Sequence, residues 1–243
     1  MLLRRRPIVA LLSAAALALC CIPALAAPMN LAYLIPAQAD AHGRPSPAAN
    51  NAEGVGVIAA GAAIASDDKG IYRTVQGAIP AGSPVRKAAN YVTDLGNPVY
   101  IAPILGAFYL TGGSGNRDIV WRSTVAMARA GLIGTALKIL VGRQRPDGAQ
   151  GGSADTFHPL QPQRRSDSFP SGHTLVAFSI ASVWAAERPS AAIPAYALAS
   201  LVGTSRIIKG AHWPSDVFWG ALIGITQGRQ AAAGNVNLFD IRF

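Results

Sequence analysis

Charge is scarce in this 243-residue chain: 14% of its residues are charged, and 12 acidic residues face 21 basic ones. No clustered carboxylates accompany its motifs, so the acidic ligand sets that hold hard cations have no counterpart here. Cysteine is rarer still. Both copies, Cys20 and Cys21, stand inside a segment that reads as an export signal. With that signal removed, the mature chain has no thiol, which excludes disulfides, thiolate catalysis and cysteine-based zinc sites. β-Branched alternation is scarce, which argues against sheets, and there is no internal repeat, heptad or collagen pattern. Long apolar runs are missing as well: 98–111 and 172–186 are apolar but shorter than the roughly 20 residues that a spanning helix requires.

What is present is a chain that is 51% hydrophobic, with mean hydropathy +0.29, long enough for one domain with a full core. Arg4, Arg5 and Arg6 form a positive n-region, Ile8 to Cys21 an apolar h-region, and Ala24-Leu25-Ala26 a small-residue cleavage site. Cleavage after Ala26 is expected. Leu19 is too bulky for the position before a lipidated Cys20. Loss of the three arginines lowers the formal charge from +9 to +6, and the remaining basic residues are scattered. That distribution suits an anionic substrate and gives no nucleic-acid arm.

Residues 27–53, rich in Pro, Ala, Asn and Gln, read as a loosely ordered leader. From Gly54 the pattern is helical through residue 230, and 231–243 form a tail whose last residues alternate like a strand. Apolar stretches lie near 54–66, 69–78, 83–95, 98–111, 118–144, 172–187, 191–209 and 214–228, separated by Pro- and Gly-rich breakers. An all-α helical bundle is expected. The longest stretch carries Arg122, Arg129 and Lys138, and a cation at mid-bilayer depth costs on the order of 3 kcal/mol. The expectation is therefore an exported, periplasmic protein, soluble or leaning on a membrane surface. An integral inner-membrane protein is the alternative.

Three clusters place polar residues within apolar helices. In the first, Lys138 and Arg145 are seven apart, two helical turns, and Pro146 closes the segment. Arg122 and Arg129 are also seven apart, but about 900° of helix from Arg129 to Lys138 puts the two pairs on opposite sides. By itself this cluster equally describes a solvated basic helix end. In the second, Ser171 is placed to cap a helix that begins with Gly172 and His173, so that its amides and dipole form an anion site. In the third, His212 and Asp216 are four apart, so the carboxylate can accept from one ring nitrogen and leave the other lone pair to attack. A His–Asp cap at a helix junction has the same spacing.

Taken together, Lys138…Arg145-Pro146, Pro170-Ser171-Gly172-His173 and Ser205-Arg206…His212…Asp216 resemble the three signatures of the type 2 phosphatidic acid phosphatase superfamily. Its fold and anion site are shared by bacterial non-specific acid phosphatases and vanadium-dependent haloperoxidases. The resemblance covers residues 138–216. It implies that His212 is the nucleophile, that Asp216 orients it, and that His173 protonates the leaving oxygen and later activates water. It further implies that Lys138, Arg145 and Arg206 neutralise the phosphoryl oxygens, that Ser171 and the Gly172 amide donate hydrogen bonds, and that neither metal nor cofactor is required. The substrate would be a phosphorylated small molecule or lipid. Haloperoxidase chemistry with vanadate, and a non-catalytic envelope protein keeping the fold, are the alternatives.

Residues outside the signatures receive plainer readings. His158, Arg164 and Arg165 belong to the Pro146–Pro170 loop and read as its surface, and His42 as an incidental leader residue. Trp184, Trp213 and Trp219 read as core or interface aromatics.

Overall fold

The computed structural model describes residues 47–146, 152–161 and 166–238. The signal segment, His42, Arg164, Arg165 and residues 239–243 lie outside them. Secondary structure among the described residues is helical, apart from one isolated bridge between Arg143 and Phe157. The helices are α1 (Pro47–Ser66), α2 (Asp68–Ala78), α3 (Pro84–Val92), α4 (Pro98–Thr111), α5 (Ser114–Val141), α6 (Gly172–Glu187), α7 (Ala192–Ile208) and α8 (Pro214–Ala232). Short 3-10 turns at Thr93–Gly96 and Pro189–Ala191 join α3 to α4 and α6 to α7. The all-α expectation is met. Helix α1 begins at Pro47, inside the stretch expected to be leader.

Local chemistry sets most boundaries. Ser83 and Asn97 each accept a backbone N–H at a helix start, from Arg86 and Val99, and each is followed by proline at the first helical position. Pro214 likewise opens α8. At the other end of α5, Gly142 adopts φ +59°, and a β-carbon there would lie 1.9 Å from the His158 carbonyl oxygen. Glycine is needed on both counts. The helix therefore stops at Val141, short of the expected residue 144, and Arg145 stands in the following loop.

Helix α6 is central, packing most extensively on α8 and then on α7 and α5. Its Phe178 and Ala181 join Val202 of α7 and Ile225 of α8 in the main core cluster. Full burial of such a side chain contributes about 2 kcal/mol. Gly220, Gly224 and Gly228 form one stripe of α8, and a β-carbon at each would fall 2.4–2.7 Å from the carbonyl oxygens of Ser171, Leu175 and Ser179. Small residues thus let the α8 backbone lie against α6. That approach seats the start of α8 beside the start of α6, where two of the three signatures meet.

Two segments among the described residues, Ser114–Val141 and Pro189–Ile208, are long and apolar enough to cross a membrane. From sequence, Arg129 opposes such a role for α5. In the fold it is fully buried within the bundle (0% exposed), donating to Gln227 Oε1 at 3.1 Å, Gln230 Oε1 at 3.0 Å and the Asn235 carbonyl at 3.0 Å. Its charge faces protein, so it is no argument against membrane contact. Arg122 donates to the Ala231 and Ala232 carbonyls at the end of α8, where cations are favoured. As the helical phase requires, neither joins Lys138.

Candidate active site

The loop after α5, the segment entering α6, the end of α7 and the start of α8 converge on one region. Lys138, in the last turn of α5, donates through Nζ to the Asp167 carbonyl and, at 2.8 Å, to the Pro170 carbonyl. Arg145 grips the Asp167 carboxylate through Nε at 2.6 Å and Nη2 at 2.9 Å, and reaches the Ala211 carbonyl at 3.3 Å. The two cations are gathered by Asp167, not by a shared helix face, because α5 has already ended. Arg206, near the end of α7, is buried and donates to Thr93 Oγ1 at 2.7 Å. The 3-10 turn bearing Thr93 also backs His173: a β-carbon on Gly96 would meet the His173 carbonyl oxygen at 2.6 Å.

Ser171 occupies the cap position of α6, but its hydroxyl does not cap the helix. It accepts from Thr174 Oγ1 at 2.9 Å instead. The first-turn amides of α6, including those of Gly172 and His173, therefore carry no side-chain cap, and this end of the helix keeps its pull on an anion. The Ser171 amide donates to the Asp216 carbonyl at 3.0 Å, which ties the start of α6 to the start of α8.

His212 is buried, with 1% exposure. Its Nδ1 lies 2.7 Å from the Ser168 carbonyl oxygen and 3.8 Å from Asp216 Oδ2. The spacing in sequence points to the carboxylate as the acceptor; the shorter contact is the carbonyl. A carbonyl only accepts, so Nδ1 carries the proton and Nε2 keeps its lone pair, the same tautomer by a different partner. Asp216 supports this at one remove, because Oδ2 accepts from the Ser168 hydroxyl at 2.5 Å and the Trp213 amide at 2.9 Å. Its Oδ1 accepts from Arg143 Nη1 at 2.7 Å.

Burial pushes His212 down to about 4, opposed by Asp216 and assisted by the positive Arg145 and Lys138. Burial likewise pushes His173 down to about 3, reinforced by Arg206, His212, Lys209 and Arg145. Both rings are therefore neutral except in acid. Asp216 lies below the usual carboxylate range: burial would raise it, but His212, Arg143 and the Ser168 hydroxyl together outweigh that. Among the described residues, no group of three or more His, Cys, Asp or Glu is placed to hold a metal ion.

Asp167, Ser168, Thr93, Arg143 and Asp68 have no roles that sequence reasoning found. Ser168 and Asp167 adjoin the second signature, and Arg143 sits inside the first, so proximity is the available signal. Thr93 and Asp68 have none. His158 lies in the loop packed over Gly142, to whose carbonyl its amide donates at 2.7 Å.

The PAP2 superfamily model matches residues 119–232, which include every signature position. Residues 119–232 of this chain belong to the PAP2 superfamily. It is 31% identical over 151 residues to the lipid A 1-phosphatase of Porphyromonas gingivalis, a match covering 58% of this chain and 31% of that protein. It is 26% identical over 163 residues to the lipid A 1-phosphatase of Rhizobium johnstonii, covering 61% and 67%. The chain thus spans about a third of the first relative's length. The crystal structure of LpxE from Aquifex aeolicus superposes with a TM-score of 0.54 at 27% identity, over 67% of this chain and 93% of that one.

Proposed function

We propose that this chain is a phosphatase acting on lipid phosphates through a phosphohistidine at His212. The observation that carries the reading is the convergence of Lys138, Arg145, Arg206 and the uncapped start of α6 on two neutral histidines, one with its Nδ1–H held by a carbonyl. In the first step the Nε2 lone pair of His212 forms a bond to phosphorus. The bond to the leaving oxygen breaks, and His173 relays to that oxygen the proton that arrives on the substrate monoanion. In the second step water attacks phosphorus, His173 takes a proton from it, and the N–P bond breaks to return the lone pair to His212. The three cations and the α6 amides stabilise the charge on the transferring group. Arg145 must exchange the Asp167 carboxylate for the arriving phosphate.

A lipid substrate is supported by the names of the relatives and by the apolar faces left open on the bundle, among them Val99, Tyr100, Leu110, Trp121, Leu132 and Leu140. We infer an exported protein held at the membrane by these faces, with its site on the periplasmic side. Protein remaining in the membrane pellet after an alkaline carbonate wash is the expected result, and release by that wash overturns it. A phosphate-release panel over a phosphorylated glycolipid, an isoprenyl pyrophosphate and a soluble aryl phosphate tests the substrate class. Release from the lipids at well above the aryl phosphate rate is expected; preference for the soluble ester defeats the lipid assignment.

Two further outcomes follow from the mechanism. Activity should persist in excess EDTA, because Lys138, Arg145 and Arg206 provide the charge, and vanadate should inhibit competitively as a transition-state mimic. Loss in chelator with recovery on adding magnesium contradicts this. The pH profile is the second. Because His173 is pushed down to about 3 and His212 to about 4, the proton for the leaving group arrives on the substrate monoanion. The kcat/KM should peak between about pH 4 and the second phosphate pKa of about 6, then fall tenfold per unit above it. That alkaline limb should move when esters of different second pKa are compared. A limb that stays fixed across esters and shifts on changing His173 places the proton on the enzyme instead.

A further inference from the structure

We propose that Arg143, clamped by Asp68, is a positioning residue for His212 and acts through Asp216 and Ser168. The inference rests on the phosphohistidine reading above. Arg143 touches none of the residues assigned to the phosphoryl group. It is 5% exposed, and each guanidinium nitrogen has a partner: Nε donates to the Ala154 carbonyl at 2.9 Å, Nη1 to Ser215 Oγ at 2.7 Å and Asp216 Oδ1 at 2.7 Å, and Nη2 to Asp68 Oδ2 at 2.6 Å. The rings of Phe157 and Trp213 lie over it at 5.8 and 5.9 Å.

Asp68 closes the arrangement from the first turn of α2. Its Oδ1 accepts from the Ser215 amide at 2.8 Å and its Oδ2 from the Ser215 hydroxyl at 2.5 Å, while that hydroxyl accepts from Arg143. Asp68 and Asp216 are 1% and 0% exposed, so two buried carboxylates share one guanidinium. A planar fork can hold both at fixed angles, which a lysine cannot. Arg143 also acts through its backbone, accepting from the Ser168 amide at 3.0 Å. Ser168 is thereby fixed twice, through its amide by Arg143 and through its hydroxyl by Asp216, and its carbonyl then orients His212 Nδ1. The chain runs Asp68, Arg143, Asp216, Ser168, His212. Removing the guanidinium leaves Asp216 with one oxygen unclaimed and its carboxylate able to rotate away from Ser168.

The test is a double-mutant cycle in full-length protein, read as the single-turnover rate of phosphohistidine formation from an aryl phosphate. Arg143→Gln should slow this step by roughly 100-fold, as misplacement of a catalytic group does, and Arg143→Lys by less. In an Asp216→Asn background, adding Arg143→Gln should slow it by less than about threefold, because the path is already cut. A role confined to tethering the Ala154 loop predicts losses that multiply, and multiplied losses overturn the proposal, as does an Arg143→Gln enzyme with the wild-type rate. Where Arg143→Gln does not fold, the same cycle is run with Asp68→Asn and decided by the same criterion. The wild-type control separates the two readings: no phosphate release or no phosphohistidine in it defeats the proposed function, whereas wild-type turnover with multiplied losses defeats this inference alone.

Discussion

Replacing His212 by alanine should abolish turnover, by at least about 10⁴-fold, and should leave no acid-labile phosphoenzyme. Without Nε2 there is no lone pair to receive phosphorus, and among the described residues no second nucleophile stands on the same carbonyl. His173→Ala is expected to behave differently. It removes general acid help, worth roughly 10²–10⁴-fold, from both steps. With an aryl phosphate, whose leaving group departs without a proton, formation of the phosphoenzyme is spared more than its hydrolysis. Phosphohistidine should then accumulate in His173→Ala, where rapid quench and acid–base lability detect it. Trapping in His212→Ala with none in His173→Ala reverses the assignment of nucleophile and acid.

Arg129→Ala should cost about 3–5 kcal/mol, the range for removing one member of a buried charged network. Its loss strands the acceptors Gln227 Oε1, Gln230 Oε1 and the Asn235 carbonyl and opens a cavity at a fully buried position. For a domain of this size the thermal midpoint in detergent should fall by about 10 °C or more. Activity per folded molecule should stay close to wild type, since Arg129 lies nine residues, about 13 Å of helix, from Lys138. An unchanged midpoint would mean that the network holds the chain after α8 without stabilising the bundle. A loss of activity without a loss of stability would connect Arg129 to the site.

The His158 loop and the end of α5 show where sequence reading stops short. Gly142 and Pro146 are both stop signals, but spacing alone does not choose between a helix that ends at residue 141 and one that ends at 144. The stop is set by the close approach of the His158 carbonyl, a contact between segments far apart in conformational freedom though near in sequence. The same holds for Ser171, whose residue type suits a cap but whose hydroxyl takes Thr174 as partner. Arg129 is the third such place: a charge in an apolar helix is costly only when unpaired, and its partners come from the end of α8 and the residues after it.

By itself the sequence determined the helical class, through period and breakers, and pointed to the members of the proposed site through three signatures taken together. Those features are local, carried by spacing along one segment and by the chemistry of single side chains. The tertiary structure alone decided how the members are held. It brought Asp68 from α2 and Thr93 from a 3-10 turn to residues more than a hundred positions away, Ser215 with Asp216 and Arg206, and it set the Ser168 carbonyl rather than the Asp216 carboxylate on His212. Which acceptor wins such a proton depends on differences of about an ångström between segments that meet only when α8 closes on α6.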